Sequence, residues 1–441
     1  MRCPLCAREL LPEDRPTLER KGEEAVEMVK AVGNRTLPWV KNPIADARDT
    51  RLSRSLSGTN LERAGDYNLR AVLQSIRLAG ETTRMEIAGQ TGLTAPAIAN
   101  ITRRLTDRGL VERAGRTRGG RGQPALRFKI VPDGAYAIGL NIDRDHLTLV
   151  TLDLAGEVRS RVTREIAFAM PEDVTAFLSE ELDRALASGG IETERVLGMG
   201  VALPDDLGRI ALPHCPPDYE VWSDVDIPAL FAALPWPVHC DNDAAAAALG
   251  EAQYGTAFDN PTFFYLLVNA GLGGGVVIDR IYHRGATARS GEIGLIPDPA
   301  GPHPRATVQD TVSLSALLAR FEEAGLDGDR PAALVTVTPR GETVINRWVA
   351  DAVRALTAPL VSINCLLNPD AILIGGRLPI ALVERLAARL TEALAELPLP
   401  SHAVIMPAVM AQDGPAVGAA ILPFVDHLLP SDAILIKTGR S

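Results

Sequence analysis

Cysteine is scarce in this 441-residue chain: there are five, an odd number too thinly spread for a disulfide scaffold. Long apolar runs are missing as well. No uninterrupted stretch reaches the roughly 18 residues that would cross a bilayer. The N-terminal MRCPLCAREL carries charges where a secretory signal would have its apolar region. Cys3 and Cys6 form a CxxC with no second pair nearby, short of the four ligands of a structural zinc, so no metal is expected there. These absences point to a cytoplasmic protein with no membrane partner. What is present is ordinary globular composition, 46% hydrophobic and 23% charged, which excludes a disordered, collagenous or coiled-coil chain. The length allows about three domains of roughly 150 residues and a core large enough to need no staples.

Charge is unevenly spread. Residues 61–130 carry a net +7 and residues 1–60 a net +2, which leaves -19 on residues 131–441. A basic segment joined to an acidic body suggests that the basic segment meets a polyanion; a solvated basic surface is the plainer alternative. Residues 1–60 read as an extension: a short helical stretch at Gly22–Val32, then Pro38, Pro43 and a polar linker from Arg51 to Asn60.

The segment 68–130 has a clear rhythm. Val72, Leu73 and Ile76 make one amphipathic helix ending near Gly80. Thr83 can cap a second, with Met85, Ile87 and Ala88 apolar and a stop at Gly92. Thr94 can cap a third, with Ile98, Ile101 and Leu105 at i, i+3, i+7 and a stop at Gly109. Two short helices joined by a glycine turn predict a helix-turn-helix, with the third helix as the reading helix. A strand at Leu110–Glu112, a loop at Arg113–Pro124 and a strand at Ala125–Ile130 then predict a hairpin wing bearing Arg113, Arg116, Arg118 and Arg121. If Ile98, Ile101 and Leu105 face inward, the opposite face shows Ala95, Pro96, Asn100, Arg103 and Arg104, and Thr94 at the helix start is a further DNA-contact candidate. Small residues let a helix start enter a major groove closely. Asn can pair bidentately with adenine, and Arg with guanine or phosphate. A flexible Arg tip suits the narrow, negative minor groove. The expected partner is double-stranded operator DNA, read by a homodimer or homotetramer.

From Ala135 onward strands alternate with helices, the pattern of an α/β fold. Strands are expected at Ala135–Ile142, Leu147–Asp153, Val196–Ala202, Val238–Cys240, Phe263–Val268, Gly275–Ile278 and Ala371–Ile374. Helices are expected at Pro171–Ser188, Asp243–Tyr254, Val312–Ala324, Glu342–Leu367 and Ile380–Leu397, and a small-residue turn at Ala416–Ala420 before a short helix.

Four segments, taken in order, resemble the ROK family of repressors, open reading frames and sugar kinases, over residues 65 to 430. Asn68–Thr94 resembles the winged-helix start of the family's repressors. CDNDAAAAALGEAQYG (Cys240–Gly255) resembles the family's "ENDANAAALAE". Asn269–Gly294 resembles the Gly-rich hairpin leading to E-x-G-H, and LNPDAILIGG (Leu367–Gly376) the stretch before the nucleotide's base in the kinases. The fold implied is a winged helix-turn-helix (61–131) followed by a two-lobed, actin-like (ribonuclease H-like) sugar-kinase body (132–430), with an extension at 1–60 and a tail at 431–441. The resemblance assigns the sugar-like ligand to Asn242, Asp243 and Glu292, with Asp243 matching the kinases' general base.

The departures point away from catalysis. The kinases' Asp and Gly-Gly-Thr phosphate loop reads Asn141, Ile142, Asp143, Arg144, Asp145 here, with both glycines replaced by charged residues. Their side chains would block close approach, and the carboxylates would repel a polyphosphate. Leu295 replaces the His of E-x-G-H, and Gly294–Asp310 has none of the cysteines that hold the family's zinc. Tyr219 and Trp222 could stack on a sugar face or simply fill the core. The expectation is a DNA-binding regulator, a repressor of carbohydrate-related genes, with a catalytically degenerate sensor body. It has no catalytic residues, cofactor or metal. The alternative is a sugar kinase with a fused DNA-binding domain.

Overall fold

The computed structural model describes residues 61–116, 125–205, 207–209, 215–255, 259–328, 330–410 and 413–431. The extension with Cys3 and Cys6, the loop arginines Arg118 and Arg121, and residues 432–441 of the expected tail lie outside the described residues. Helix α1 (Leu61–Ala79) turns Leu69, Val72, Leu73 and Ile76 to one buried face, the i, i+3, i+4, i+7 spacing of a one-sided helix. Gly80, in the left-handed region, ends it. Strand β1 (Glu81–Thr83) leads into α2 (Arg84–Thr91). Thr83 caps α2 while Glu86 accepts from the Thr83 backbone N–H. Such a reciprocal box is worth about 1 kcal/mol. Helix α3 (Ala95–Asp107) buries Ile98, Ile101 and Leu105, as their spacing predicts.

Strand β2 (Val111–Arg116) pairs antiparallel with β3 (Leu126–Ile130), giving a sheet of order β1-β3-β2. The sequence placed the end of the first strand at Glu112. Pairing instead continues to Arg116 through an irregularity, where Gly115 takes φ +98°. A glycine absorbs such a bulge without steric cost, so Arg113 and Arg116 sit on a strand rather than in a loop.

Two five-stranded sheets of the same topology follow. In the first, β4 (Tyr136–Ile142), β5 (His146–Asp153) and β6 (Val158–Glu165) form an antiparallel meander. Helix α4 (Pro171–Gly189) leads to β7 (Val196–Leu203), and the short α5 (Ile227–Leu230) to β8 (Val238–Asn242); the order is β6-β5-β4-β7-β8. Helix α6 (Asp243–Tyr254) then leads to β9 (Phe263–Val268), β10 (Leu272–Ile278) and β11 (Ile281–Tyr282). Helices α7 (Val308–Val312), α8 (Leu314–Glu323) and α9 (Pro339–Leu367) precede β12 (Ala371–Gly376), and α10 (Ile380–Ala395) precedes β13 (Val404–Pro407). This sheet has the order β11-β10-β9-β12-β13, so each half is a meander extended by two parallel strands. Strands β4, β5, β9 and β12 are buried along their whole length, as strands covered on both faces must be. Helix α9 is long and apolar enough by length and composition to cross a membrane. Here its apolar side, including Ile345, Trp348, Ala352 and Leu356, lies in the core of the second half.

The small-residue turn expected at Ala416–Ala420 is part of a helix, α11 (Gly414–His427). Its glycine and alanines serve backbone contact. A Cβ at Gly418 would meet the Ala246 carbonyl oxygen of α6 at 1.7 Å. On the sheet side, Cβ atoms at Gly139 of β4 and Gly200 of β7 would meet the Ala416 and Ala419 carbonyls at 2.0 and 1.8 Å. A helix buried on every side shows no amphipathic period, which is why its sequence reads as a turn.

Helix α1 is anchored to the end of α11. The buried Arg70 guanidinium donates to the carbonyls of Val425, Asp426 and Leu429 and pairs with Asp66 at 2.9 Å. Arg77 donates to the Gln253 carbonyl and lies 4.1 Å over the Tyr254 ring. Leu69, Val72 and Ile76 share one apolar cluster with Val417, Ile421 and Phe424. The N-terminal unit therefore packs directly on the body. Arg70→Ala would strand the three carbonyls. We expect it to lower stability by about 3 kcal/mol, read as a reduced urea midpoint.

Candidate functional site

The two halves meet at a cleft, and the chain delivers its polar groups there through element ends. Strand β8 ends at Asn242, which caps α6: its Oδ1 accepts from the Ala245 N–H at 3.0 Å. That bond fixes the side chain and leaves its NH2 as the group available to a ligand. Asp243 follows as the first residue of α6, buried, with its Oδ1 accepting from the Ala244 N–H at 2.7 Å. Glu292 reaches the same cleft from the second half, where it precedes the 3-10 turn Ile293–Leu295. The three residues expected to hold a ligand, 50 positions apart in sequence, therefore line one cleft. Leu295, in place of the motif's His, lines it too and stays partly exposed.

Burial pushes the Asp243 carboxyl up to about 7, helped by the neighbouring Asp143 and Asp205 charges and opposed by Arg144. At neutral pH the group can therefore both donate and accept, which suits a sugar hydroxyl. The shift also has a stability consequence. Below about pH 4 the carboxyl is neutral in folded and unfolded chains alike. Between about pH 4 and 7 the unfolded chain gives up this proton while the folded chain keeps it, so stability falls across that window and levels off above it. Asp243→Asn removes this loss. We expect its thermal midpoint to exceed the parent's by a few degrees at pH 8, with the gap closing toward pH 4.

Residues beyond the sequence expectation complete the cleft. Asn269, at the end of β9, donates to Asp143 Oδ2 at 2.9 Å and so joins the two halves. Arg144 places its guanidinium against the β9–β10 turn: a Cβ at Gly271 would lie 3.0 Å from its Nη1. Gln309 of α7 lies beside them. Arg377, directly after β12, pairs across the halves with Asp145 at 2.6 Å and with Glu165. Asp145 in turn accepts from His146 Nδ1 at 2.6 Å. Only the Gly375-Gly376 pair before Arg377 hints at such a role in the sequence, since the partners stand more than 200 residues away. As it stands the cleft holds a cavity of about 50 Å3. That is room for a few waters. Tyr219 and Trp222 do not reach the cleft as stacking platforms: both are buried in the core of the first half, and Trp222 Nε1 donates to the Ala169 carbonyl.

On the N-terminal unit, Thr94, the cap residue of α3, and Ala95, Pro96, Asn100, Arg103 and Arg104 are all exposed, whereas Ile98, Ile101 and Leu105 are buried. Arg103 donates to Asn100 Oδ1 at 2.9 Å, which orients both side chains. Arg113 and Arg116 are exposed on β2. Thr94 occupies the cap position of α3 without a side-chain cap bond, so its hydroxyl is not spent on the helix.

The model of the ROK family matches residues 137–424 of the chain. The uncharacterized protein y4fQ of Sinorhizobium fredii is 27% identical over 366 residues, which is 81% of this chain and 90% of that protein. The DNA-binding transcriptional dual regulator NagC of Escherichia coli is 27% identical over 246 residues, covering 54% of this chain and 59% of NagC. Among solved structures, a ROK family transcriptional regulator, a homolog of the E. coli MLC protein, superposes with a TM-score of 0.61 at 23% identity. The match takes in 84% of this chain and 99% of that one.

Proposed function

Because the chain belongs to the ROK family, we propose that it is a DNA-binding transcriptional regulator, a repressor of carbohydrate-related genes, whose kinase-like body senses a sugar or sugar derivative. The observation that carries this reading is the convergence of Asn242, Asp243 and Glu292 on a cleft also lined by Arg144, next to which in the chain Asp145 pairs with Arg377. The first set suits hydroxyls. The second fills with side chains the ground a polyphosphate would need. Residues 61–131 act as a winged helix-turn-helix, with α3 as the reading helix and the β2–β3 hairpin as the wing. Thr94, Ala95, Pro96, Asn100, Arg103 and Arg104 face the major groove, and Arg116, with Arg118 and Arg121 beyond it, faces the backbone and minor groove. The protein works in the cytoplasm as a homodimer or homotetramer, which presents two reading helices to half-sites about one helical turn apart. Effector binding shifts the balance between arrangements of the two halves. Because α1 is fastened to α11 through Arg70, the spacing of the reading helices moves with it.

Arg104→Ala is expected to weaken binding to all duplexes by a similar factor and to reduce the slope of log affinity against log salt by about 1. Anisotropy titrations at three salt concentrations read both quantities. An unchanged slope would remove Arg104 from the phosphate contacts.

A second reading, a sugar kinase with a fused DNA-binding domain, is favoured by one observation: a carboxyl near 7 at Asp243 is poised as a general base. One experiment separates the two. A thermal-shift screen against neutral, amino, acidic and phosphorylated sugars identifies the effector, since saturation at 100 times Kd adds about 2.7 kcal/mol. That sugar is then incubated with protein, ATP and Mg2+. Stabilisation without sugar phosphate supports the sensor. Turnover establishes the kinase.

A further inference from the structure

Away from the cleft, where α1 meets the body, three chemistry-bearing side chains face one another. His239 lies on β8, and Asp426 and His427 lie at the C-terminal end of α11. One ligand atom from each falls within 4.8 Å of the others. His427 Nε2 is buried and makes no hydrogen bond; it stands 3.6 Å from Asp426 Oδ2, beyond hydrogen-bond length. The His427 side chain is 6% exposed and that of Asp426 11%. The His239 and His427 rings meet edge to face, with centroids 6.4 Å apart. The sequence supports no such grouping, because 187 residues separate His239 from Asp426.

We infer that this cluster is a binding site for a divalent transition-metal ion of the zinc class, held by His239, Asp426 and His427. Two imidazoles and a carboxylate select such ions over calcium or magnesium, which take oxygen ligands. In a tetrahedral site with bonds of about 2.0–2.1 Å, neighbouring ligand atoms lie about 3.4 Å apart. The 3.6 Å between His427 Nε2 and Asp426 Oδ2 is already close to that edge. Bringing in His239 needs a shift on the order of an ångström, within the reach of a side-chain adjustment on this partly exposed rim. Water fills the fourth position, as in other three-ligand sites. The positive neighbour is Arg70, whose charge is met by Asp66 and by the carbonyls of Val425, Asp426 and Leu429. An ion here would tie β8, which runs directly into Asn242 and Asp243, to the end of α11, which holds α1. It would therefore stiffen the joint between the cleft and the N-terminal unit. The inference does not depend on DNA or sugar binding.

The test is a Co2+ titration of the chelator-treated full chain, followed by the visible band of tetrahedral Co2+, alongside His427→Gln and His239→Gln. Circular dichroism confirms that each variant is folded, and Asp426→Asn stands in for any that is not. The parent is expected to bind one more equivalent than the variants, or to bind that equivalent about 100-fold more tightly, and Zn2+ should raise the thermal midpoint of the parent alone. Equal uptake by parent and variants, or no uptake by the parent, would overturn the site.

Discussion

Gly418→Val is expected to abolish the folded body. A Cβ at position 418 would sit 1.7 Å from the Ala246 carbonyl oxygen, inside its van der Waals shell. The helix cannot retreat, because Ala416 and Ala419 on its other side already touch the backbone of β4 and β7 at Gly139 and Gly200. Overpacking with no room to yield belongs to the rare class of substitutions costing more than about 4–5 kcal/mol. The variant should appear in the insoluble fraction, and Gly418→Ala, the milder change, should show a strongly reduced urea midpoint. Gly65, on α1, is the control: its Cβ would meet nothing within 4 Å, so Gly65→Ala should leave the midpoint unchanged or higher. A stable, soluble Gly418→Val protein would contradict the packing of α11 between the sheet and α6.

Asp243→Ala is expected to separate sensing from DNA binding. Its carboxyl lies in the cleft, and the α3 face lies on a different unit. Loss of one buried, half-ionised hydrogen-bonding carboxyl from a polar site costs about 1.5–3 kcal/mol, a fall in effector affinity of roughly 10- to 150-fold. Operator affinity without effector should stay within the error of measurement, and effector concentrations that release the parent should leave the variant bound. If operator affinity itself collapsed, Asp243 would be part of the body's structural support and not of a sensing site.

The N-terminal unit was legible because its signals are local. Spacing at i, i+3, i+7 marks the buried faces of α1 and α3, and Thr83, Gly80 and Gly92 punctuate them as caps and stops. The body's buried strands were legible for a similar reason, as short apolar runs between turns. What escaped the sequence is non-local. Strand β6, VRSRVTRE, is an edge strand with charged residues on its open side, so it lacks the run that betrays β4 or β9. Helix α11 hides because burial on every side erases its period. In the cleft, Asn242, Asp243 and Glu292 were found through resemblance, and the two halves do bring them together. The contacts Asn269–Asp143 and Arg377–Asp145 were not found, since only the folded chain joins residues 126 and 232 positions apart.

The central claim is that one molecule joins an operator-reading face to a sugar-sensing cleft. Fluorescence anisotropy of the full chain on duplex DNA from its own upstream region, at physiological salt and with each sugar of the panel, tests it most directly. The account predicts tight binding that one sugar releases in a concentration-dependent way, with Asp243→Ala bound throughout. Binding to that duplex no tighter than to unrelated DNA, together with phosphorylation of a panel sugar by ATP, would contradict it.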